Sequence, residues 1–384
     1  MCGTYIDCTN LTTAVCGPNV TSMNLAYRNC INLTTAVCGN NVVFMNGTYQ
    51  NCVNLITAVC GQNVTDMRNT YCFCSNLTEA VCGERVRDMY SAYYGCTNLT
   101  TAVCGDNVMY MSDTYTDCTN LTVAVCGPNV TDMGGTYRNC TNLKTAVCGN
   151  KVISMPYTYS GCVNLTKAVC GLSVTNMTNA YYSCKNIAIG VCGPKVTSMA
   201  GAYAHSGISV GIIGPSVGAT NNAFTGCSNL RKLYVFGGVG QNTIYGSRHI
   251  VDLDIYVNAN SASLNYIVNG GRNNYSFLYD YNCVLTYDQA NNYYYHPGIA
   301  GRNLRVHPVD DVRDTYCQHM YSNNSSVIMT NYIGNSVGVD YMVVKTKYSY
   351  NTAGSNQIDS GYVSVAPIDI NTLKNVLVEL VEVK

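Results

Sequence analysis

The sequence predicts a mainly β solenoid in which each repeat closes one coil, followed by a β-rich C-terminal domain. Three observations carry this. Cysteine recurs at Cys8, Cys30, Cys52, Cys74, Cys96, Cys118, Cys140, Cys162 and Cys184, always 22 residues apart. A second series trails the first by eight residues: Cys16, Cys38, Cys60, Cys82, Cys104, Cys126, Cys148, Cys170 and Cys192. The columns between them are close to invariant and read C-x-N-L-x-x-A-V-C-G-x-x-V-x-x-M-x-x-x-Y-x-x.

The period and the residue types together choose the coil. Helical repeats need more than about 30 residues per unit and little glycine. This unit is shorter and carries Gly, Thr, Val and Asn in fixed places. Twenty-two residues suffice for a short strand, a turn, an extended or 3₁₀ segment and a turn back. Coils hydrogen-bonded at about 4.8 Å would rise roughly 40 Å over nine repeats. In the copy `CTNLTTAVCGDNV`, Cys96, Leu99, Ala102, Cys104, Val108 and Met111, with Tyr93 before them, face inward.

These residues also resemble a known family. Its pattern, F-x-x-C-x-x-L-x-x-V-x-I-P-x-x-V-x-x-I, is that of the BspA-like (Treponema-type) leucine-rich repeat. Tyr93, Cys96, Leu99, Ala102, Cys104, Gly105, Val108 and Met111 fall on its columns. The departures are Ala for Val, Cys-Gly for Ile-Pro, Met for Ile, and one residue fewer between coils. The resemblance covers about residues 1 to 240. It implies an elongated right-handed leucine-rich-repeat solenoid with a parallel sheet, and it carries over no catalytic residue.

Three parts follow along the chain. Residues 1–204 hold about nine regular coils. Residues 205–270 are degenerate repeats or a cap: `SGISVGIIGPSV` has Ser206 where Cys is due, and `AFTGCSNLRKLYVFGGV` restores Phe224, Cys227, Asn229, Leu230 and Val239. The segment `IVDLDIYVN` reads as one more strand of the stack. Residues 271–384 form the β-rich C-terminal domain, with alternating stretches such as `YMVVKTKYSY` and `GYVSVAPI`. The tail `LKNVLVELVEVK` fits a strand by its β-branched content and a short amphipathic helix by its spacing.

Composition removes several function classes. Net charge is zero and only 11% of residues are charged, so no basic stripe exists for nucleic acid. No run of about 20 apolar residues is present to span a membrane, and `MCGTYIDCTN` has no basic or apolar leader region. No cap precedes Cys8, so the first coil would expose a strand edge able to dock on a partner.

Two cysteines per coil admit several readings. Cys behaves as a small buried hydrophobe, and identical residues stacked in successive coils leave no mismatch in volume. Disulfides along a column are awkward, because in-register Cβ atoms sit near 4.8 Å and a disulfide wants about 3.8 Å. Disulfides within a coil, Cys96 to Cys104 for example, remain open. Metal binding lacks a C-x-x-C pair or interleaved His, all five His lying at 205 or later. No cofactor is expected. Thiols in this number point to folding in a reducing compartment.

For the outer surface, strand alternation places Val15, Val37, Val59, Val81, Val103, Val125, Val147, Val169 and Val191 outward as an apolar stripe. Thr12, Thr34, Thr100, Thr122 and Thr166 are expected on the same face. The Asn column from Asn10 to Asn186 is expected to stack amides and satisfy turn backbone groups. Sequons such as Asn98-Leu-Thr arise from the repeat columns themselves. One cluster has chemical potential, `RVHPVDDVRDTYCQH`, with His307, Asp310, Asp311, Asp314, Cys317 and His319; Cys283 and His296 would have to join it to make a metal site. It has no nucleophile motif or phosphate loop, so catalysis is not expected.

The function read from these residues is structural or binding. A non-enzymatic solenoid displays an extended surface for attachment or assembly, through self-association or docking to another structural protein, or to a protein or glycan on a cell or virion. Thiols with an uncharged Asn/Thr/Tyr surface fit a viral (phage) surface, fibre or decoration component that folds in a reducing cytoplasm and is then displayed outside. A bacterial or protist cell-surface adhesin is the alternative, and an enzyme in the C-terminal domain a third.

Overall fold

The computed structural model describes residues 1–384 apart from 81, 103, 191, 194, 241, 245–251, 270–284, 296–302, 313–327, 331–341 and 345–384. The chain divides into two compact units. The first comprises Met1–Gly171, Asn176–Ile187 and Ala202–Ser206; the second comprises Leu172–Thr175, Ala188–Gly201 and Gly207–Lys384.

The first unit is a β-solenoid of stacked coils. Its strands are short: β1 (Thr13–Val15), β2 (Thr35–Val37), β3 (Thr57–Val59), β4 (Val123–Val125), β5 (Thr145–Val147) and β6 (Lys167–Val169). They pair parallel in strict register, Ala14 to Ala36 to Ala58 and Ala124 to Ala146 to Ala168. Isolated parallel bridges from Glu79 to Thr101 to Val123 run between the two sets. A second row of bridges joins the residues just before Met, from Ser22 through Phe44, Asp66, Asp88, Tyr110, Asp132 and Ser154 to Asn176. Translation by one repeat therefore superimposes like on like, as the period predicts.

Each column of the core has its own physical job. Ten tyrosines, Tyr5 through Tyr203, stack ring on ring with centroids 5.1 to 5.7 Å apart. Offset stacks at this distance add to the area the rings bury. The Tyr amides from Tyr5 to Tyr181 also donate to the next coil, as Tyr49 N to Thr70 O at 2.9 Å. Leu, Val and Met fill the remainder; Leu99, Val108 and Met111 have no solvent exposure.

The turns need left-handed backbone twice per coil. One site lies two residues after Met (Leu25, Asn69, Ser91, Asp113, Asn179) and the other two residues after Tyr (Asp7, Asn29, Asn51, Asp117, Asn139), all with φ between 51 and 62°. Asn, Asp and Gly dominate both because they tolerate that region at small cost. The Gly that follows the second cysteine is required for another reason. A Cβ on Gly61 would lie 2.5 Å from the Gly39 carbonyl oxygen and 3.2 Å from Cys38 Sγ, so the coils close up only without one. This accounts for Cys-Gly in the place where the family pattern has Ile-Pro.

The second unit is organised around a mixed sheet. Its strands are β7 (Ile189–Gly190), β8 (Val210–Ile213), β9 (Lys232–Val235), β10 (Asp252–Asn258), β11 (Thr286–Asp288), β12 (Tyr293–Tyr295) and β13 (Asn303–Val309), in spatial order β11-β12-β13-β10-β9-β8-β7. The degenerate repeats thus supply β8 and β9, and `IVDLDIYVN` supplies β10, parallel to β9 as expected. One short helix, α1 (Ala262–Asn269), starts where Ser261 Oγ accepts the Leu264 amide at 3.1 Å, an N-cap. β14 (Ile328–Thr330) and β15 (Met342–Val344) form an antiparallel pair, the latter within `YMVVKTKYSY`. `GYVSVAPI` and the tail `LKNVLVELVEVK` lie outside the described residues.

Candidate interaction surface

In β1 and β3 the T-A-V triplet places two residues outward and one inward. Ala14 is buried while Thr13 and Val15 on either side are exposed, and the same pattern repeats at β3. Val15, Val37 and Val59 are in register and retain 66, 43 and 52% of their exposure. Val81, Val103 and Val191 of the predicted stripe lie outside the described residues. For Val125, Val147 and Val169 the strand backbone is described and the side chains are not.

One part of the prediction is corrected. The outward partner of Val15 within the strand is Thr13, two residues away, not Thr12. Thr12 and its equivalents are exposed but sit before the strand, where alternation does not apply. Their work is to bridge coils: Thr34 Oγ1 donates to Thr12 O at 3.2 Å, and Thr100 Oγ1 to Thr78 O at 3.3 Å.

Beside the strands runs a ladder of asparagine amides. Asn54 Nδ2 donates to Asn32 Oδ1, Asn76 to Asn54, Asn98 to Asn76, Asn120 to Asn98 and Asn142 to Asn120, at 3.2 to 3.5 Å. A second amide series reaches the turn backbone of the preceding coil, as Asn63 Nδ2 to Asn40 O and Asn129 Nδ2 to Asp106 O, both 2.8 Å. Amide stacking and turn satisfaction both occur, in separate columns.

The two cysteine series differ in kind. In the first, each thiol donates to the tyrosine carbonyl of the preceding coil: Cys52 to Tyr27 O, Cys74 to Tyr49 O and Cys96 to Tyr71 O at 3.1 Å, continuing to Cys184 and Tyr159 O. A hydrophobe alone would not do this; the S–H supplies a weak buried donor as well as volume. In the second series the thiol faces the carbonyl oxygen of the glycine that follows, and in Cys38, Cys60, Cys82 and Cys104 it also lies against the thioether of the methionine seven residues on, Cys104 Sγ being 3.4 Å from Met111 Sδ. Among the described residues no disulfide forms, and Cys96 and Cys104 are engaged in these separate contacts. Burial pushes the thiols up, Cys52 and Cys60 to about 12 and Cys82 to about 11.

A further column went unread in the sequence. The residue before each core Tyr is Thr or Ala. Where it is Thr, the buried hydroxyl lies between two methionine carbonyls, Thr114 Oγ1 being 2.8 Å from Met89 O and 2.7 Å from Met111 O. Its signal was the Thr/Ala alternation itself, since only small residues occupy that place.

Of the chemical cluster in the second unit, His307, Asp310 and Asp311 are described; Asp314, Cys317, His319, Cys283 and His296 lie outside the described residues. His307 on β13 turns to Asp254 on β10, Nε2 to Oδ1 at 2.9 Å, while Arg305 grips the same carboxylate at 2.6 and 3.0 Å. Burial acts to raise the Asp254 pKa, but the hydrogen bonds from His307 and Arg305 outweigh it and hold the carboxyl well below the usual range. His307 stacks on Tyr256 at 4.9 Å. This is a cross-strand ion cluster, and no three His, Cys, Asp or Glu side chains converge on a metal position among the described residues. No helix among them is long and apolar enough to cross a membrane.

A stack of near-identical coils that offers continuous side-chain rows defines a repeat protein of the solenoid class. Its family is shown by the sequence: the chain belongs to the BspA type leucine-rich repeat region, matched in six copies over residues 3–122, 68–188 and 133–231. Repeats of this type are typically non-catalytic and generally mediate protein–protein interaction. Among solved structures, the chain is similar to a leucine-rich repeat protein from Bacteroides ovatus, with 16% identity over 59% of this chain and 79% of that one, and a TM-score of 0.32. It is also similar to a leucine rich cell surface protein from Faecalibacterium prausnitzii, at 14% identity over 66% and 80% with a TM-score of 0.38. The functional domain of InlJ from Listeria monocytogenes, which includes a cysteine ladder, matches at 12% over 78% and 81% with a TM-score of 0.23. At these identities the likeness concerns the fold alone. Comparison with curated proteins gives no match.

Proposed function

We propose that the protein is a non-enzymatic binding scaffold whose coils present the outward Thr/Val face to a protein partner, for attachment or assembly at a surface. The observation that carries this is the in-register exposure of Val15, Val37 and Val59. Three exposed β-branched apolar side chains in a row make a contiguous apolar strip, the kind of surface that marks an interaction site when it extends. On this reading residues 1–204 form the display stack, 205–270 close it, and 271–384 anchor or recognise. Buried thiols beside an uncharged Asn/Thr/Tyr surface favour a virion component, phage fibre or decoration, that folds in a reducing cytoplasm. A cell-surface adhesin is the second reading, favoured by membership of the BspA-type family.

The test of the face is the triple variant Val15→Lys, Val37→Lys, Val59→Lys, compared with wild type by sedimentation velocity and by attachment to intact host cells. The variant is expected to keep its far-UV spectrum and lose self-association or attachment. A variant that assembles and attaches like wild type removes the face from the proposal. Antibody labelling of purified virions against intact cells separates the two locations.

A further inference from the structure

The second cysteine series carries chemistry that display of a surface does not use. Cys60 Sγ lies 3.8 Å from Met67 Sδ, Cys82 Sγ 3.7 Å from Met89 Sδ, and Cys104 Sγ 3.4 Å from Met111 Sδ. In each pair the methionine is fully buried and the cysteine only half-buried, so solvent reaches the thiol and not the thioether. These thiols sit a loose 3.6 to 3.7 Å from the carbonyl oxygen of the glycine that follows each, whereas Cys74 and Cys96 of the first series are wholly buried and donate at 3.1 Å to tyrosine carbonyls. Histidine is absent from residues 1–204. The donors on offer at each pair are therefore two soft sulfurs, one of which becomes anionic on losing its proton.

Donor softness sets the ligand. Zn²⁺ in a structural site takes four tetrahedral N or S ligands, which these pairs do not assemble. Soft thiolate and thioether ligands suit Cu(I), Zn²⁺ and Fe–S clusters; the last also needs four cysteines, which leaves Cu(I) as the ion that two sulfurs can hold. We propose that Cys60–Met67, Cys82–Met89 and Cys104–Met111 are thiolate–thioether sites for a monovalent d¹⁰ cation of the Cu(I) class. On binding, the Sγ–H bond breaks heterolytically, its proton passes to solvent, and Sγ and Sδ each donate an electron pair to the ion. No electron is transferred. The unbranched methionine has three rotatable bonds, which let Sδ open the gap as the ion enters. The remaining close pairs lack entry: Cys38, 3.5 Å from Met45 Sδ, is buried, as are Cys148 and Cys170, with the thioethers of Met133 and Met155 at 3.9 and 4.0 Å. This inference stands apart from the docking face and survives the loss of that proposal.

The experiment uses the full reduced chain under anaerobic conditions. Cu(I) is added as its acetonitrile complex in competition with a colorimetric Cu(I) chelator, and the retained copper is counted. Wild type is expected to hold one equivalent per half-buried pair. Met67→Leu, Met89→Leu and Met111→Leu together should weaken retention by at least the roughly tenfold that even outer-shell partners are worth. Leu conserves the volume of Met, and far-UV circular dichroism checks the fold. Met155→Leu, beside buried cysteines, should change nothing. Failure of wild type to compete for Cu(I), or equal retention by the triple variant, overturns the proposal, as does an equal loss in Met155→Leu. If the triple variant does not fold, Met89→Leu alone decides, by losing one equivalent or none.

Discussion

Alkaline pH should unfold this protein well before any backbone chemistry intervenes, because its thiols are buried as neutral donors. Burial pushes the wholly buried Cys52, Cys126 and Cys184 from 9.0 to about 12. A folded-state pKa raised above the unfolded value means that the native chain keeps protons which the unfolded chain has released. The stabilisation is complete below pH 9 and is lost as pH climbs towards the folded values. At pH 10 each such thiol withdraws roughly 1 kcal/mol, and the three together a few kcal/mol. That is a sizeable part of the stability of an ordinary domain, roughly 5–15 kcal/mol. The assay is urea denaturation of reduced protein at pH 7, 8, 9 and 10, followed by far-UV circular dichroism. The midpoint should hold steady to pH 8 and then fall steeply. A midpoint unchanged between pH 7 and pH 10 would show that the thiols are not held neutral in the core, and the reasoning would fail.

Tyr71 is fully buried with its hydroxyl unpaired, so Tyr71→Phe should keep the stack and remove an unmet hydrogen bond, stabilising by about 1–3 kcal/mol in urea denaturation. Loss of stability instead would reveal a partner for that hydroxyl. Gly61→Ala drives a methyl into the Gly39 carbonyl oxygen and should cost more than about 3 kcal/mol, with a lower thermal midpoint. Thr114→Val keeps the shape but drops the hydroxyl between the Met89 and Met111 carbonyls, which still accept the Ala92 and Thr114 amides; the expected cost is about 1 kcal/mol by the same assay.

How much of this was legible depended on repetition. Any residue whose role is repeated every coil announces itself by its column, which is why Leu99, Val108, Met111 and Tyr93 were placed correctly. The pairing of Val15 with Val37 and Val59 followed too, because register is fixed by translation. Thr12 was misplaced by carrying strand alternation beyond a strand of three residues. The two cysteine columns looked alike in sequence, yet one donates to the tyrosine carbonyl of the neighbouring coil and the other sits by its own glycine carbonyl, in several coils also against a thioether. That difference lies in which atoms come within reach of each sulfur, a property of the stacked coil. The Asp254–Arg305–His307 cluster was hidden for a simpler reason: its members sit 51 and 53 residues apart, outside any repeat, and meet only because β10 and β13 are adjacent.

The Gly column has a genetic corollary. Because one coil seats on another wherever a glycine leaves room for the oxygen beneath it, the join is the same at every rung. Unequal recombination between near-identical segments can then add or delete a whole turn of chain without creating a new packing problem. The length of the stack is thus free to drift, and selection can adjust reach while leaving the chemistry of each rung untouched.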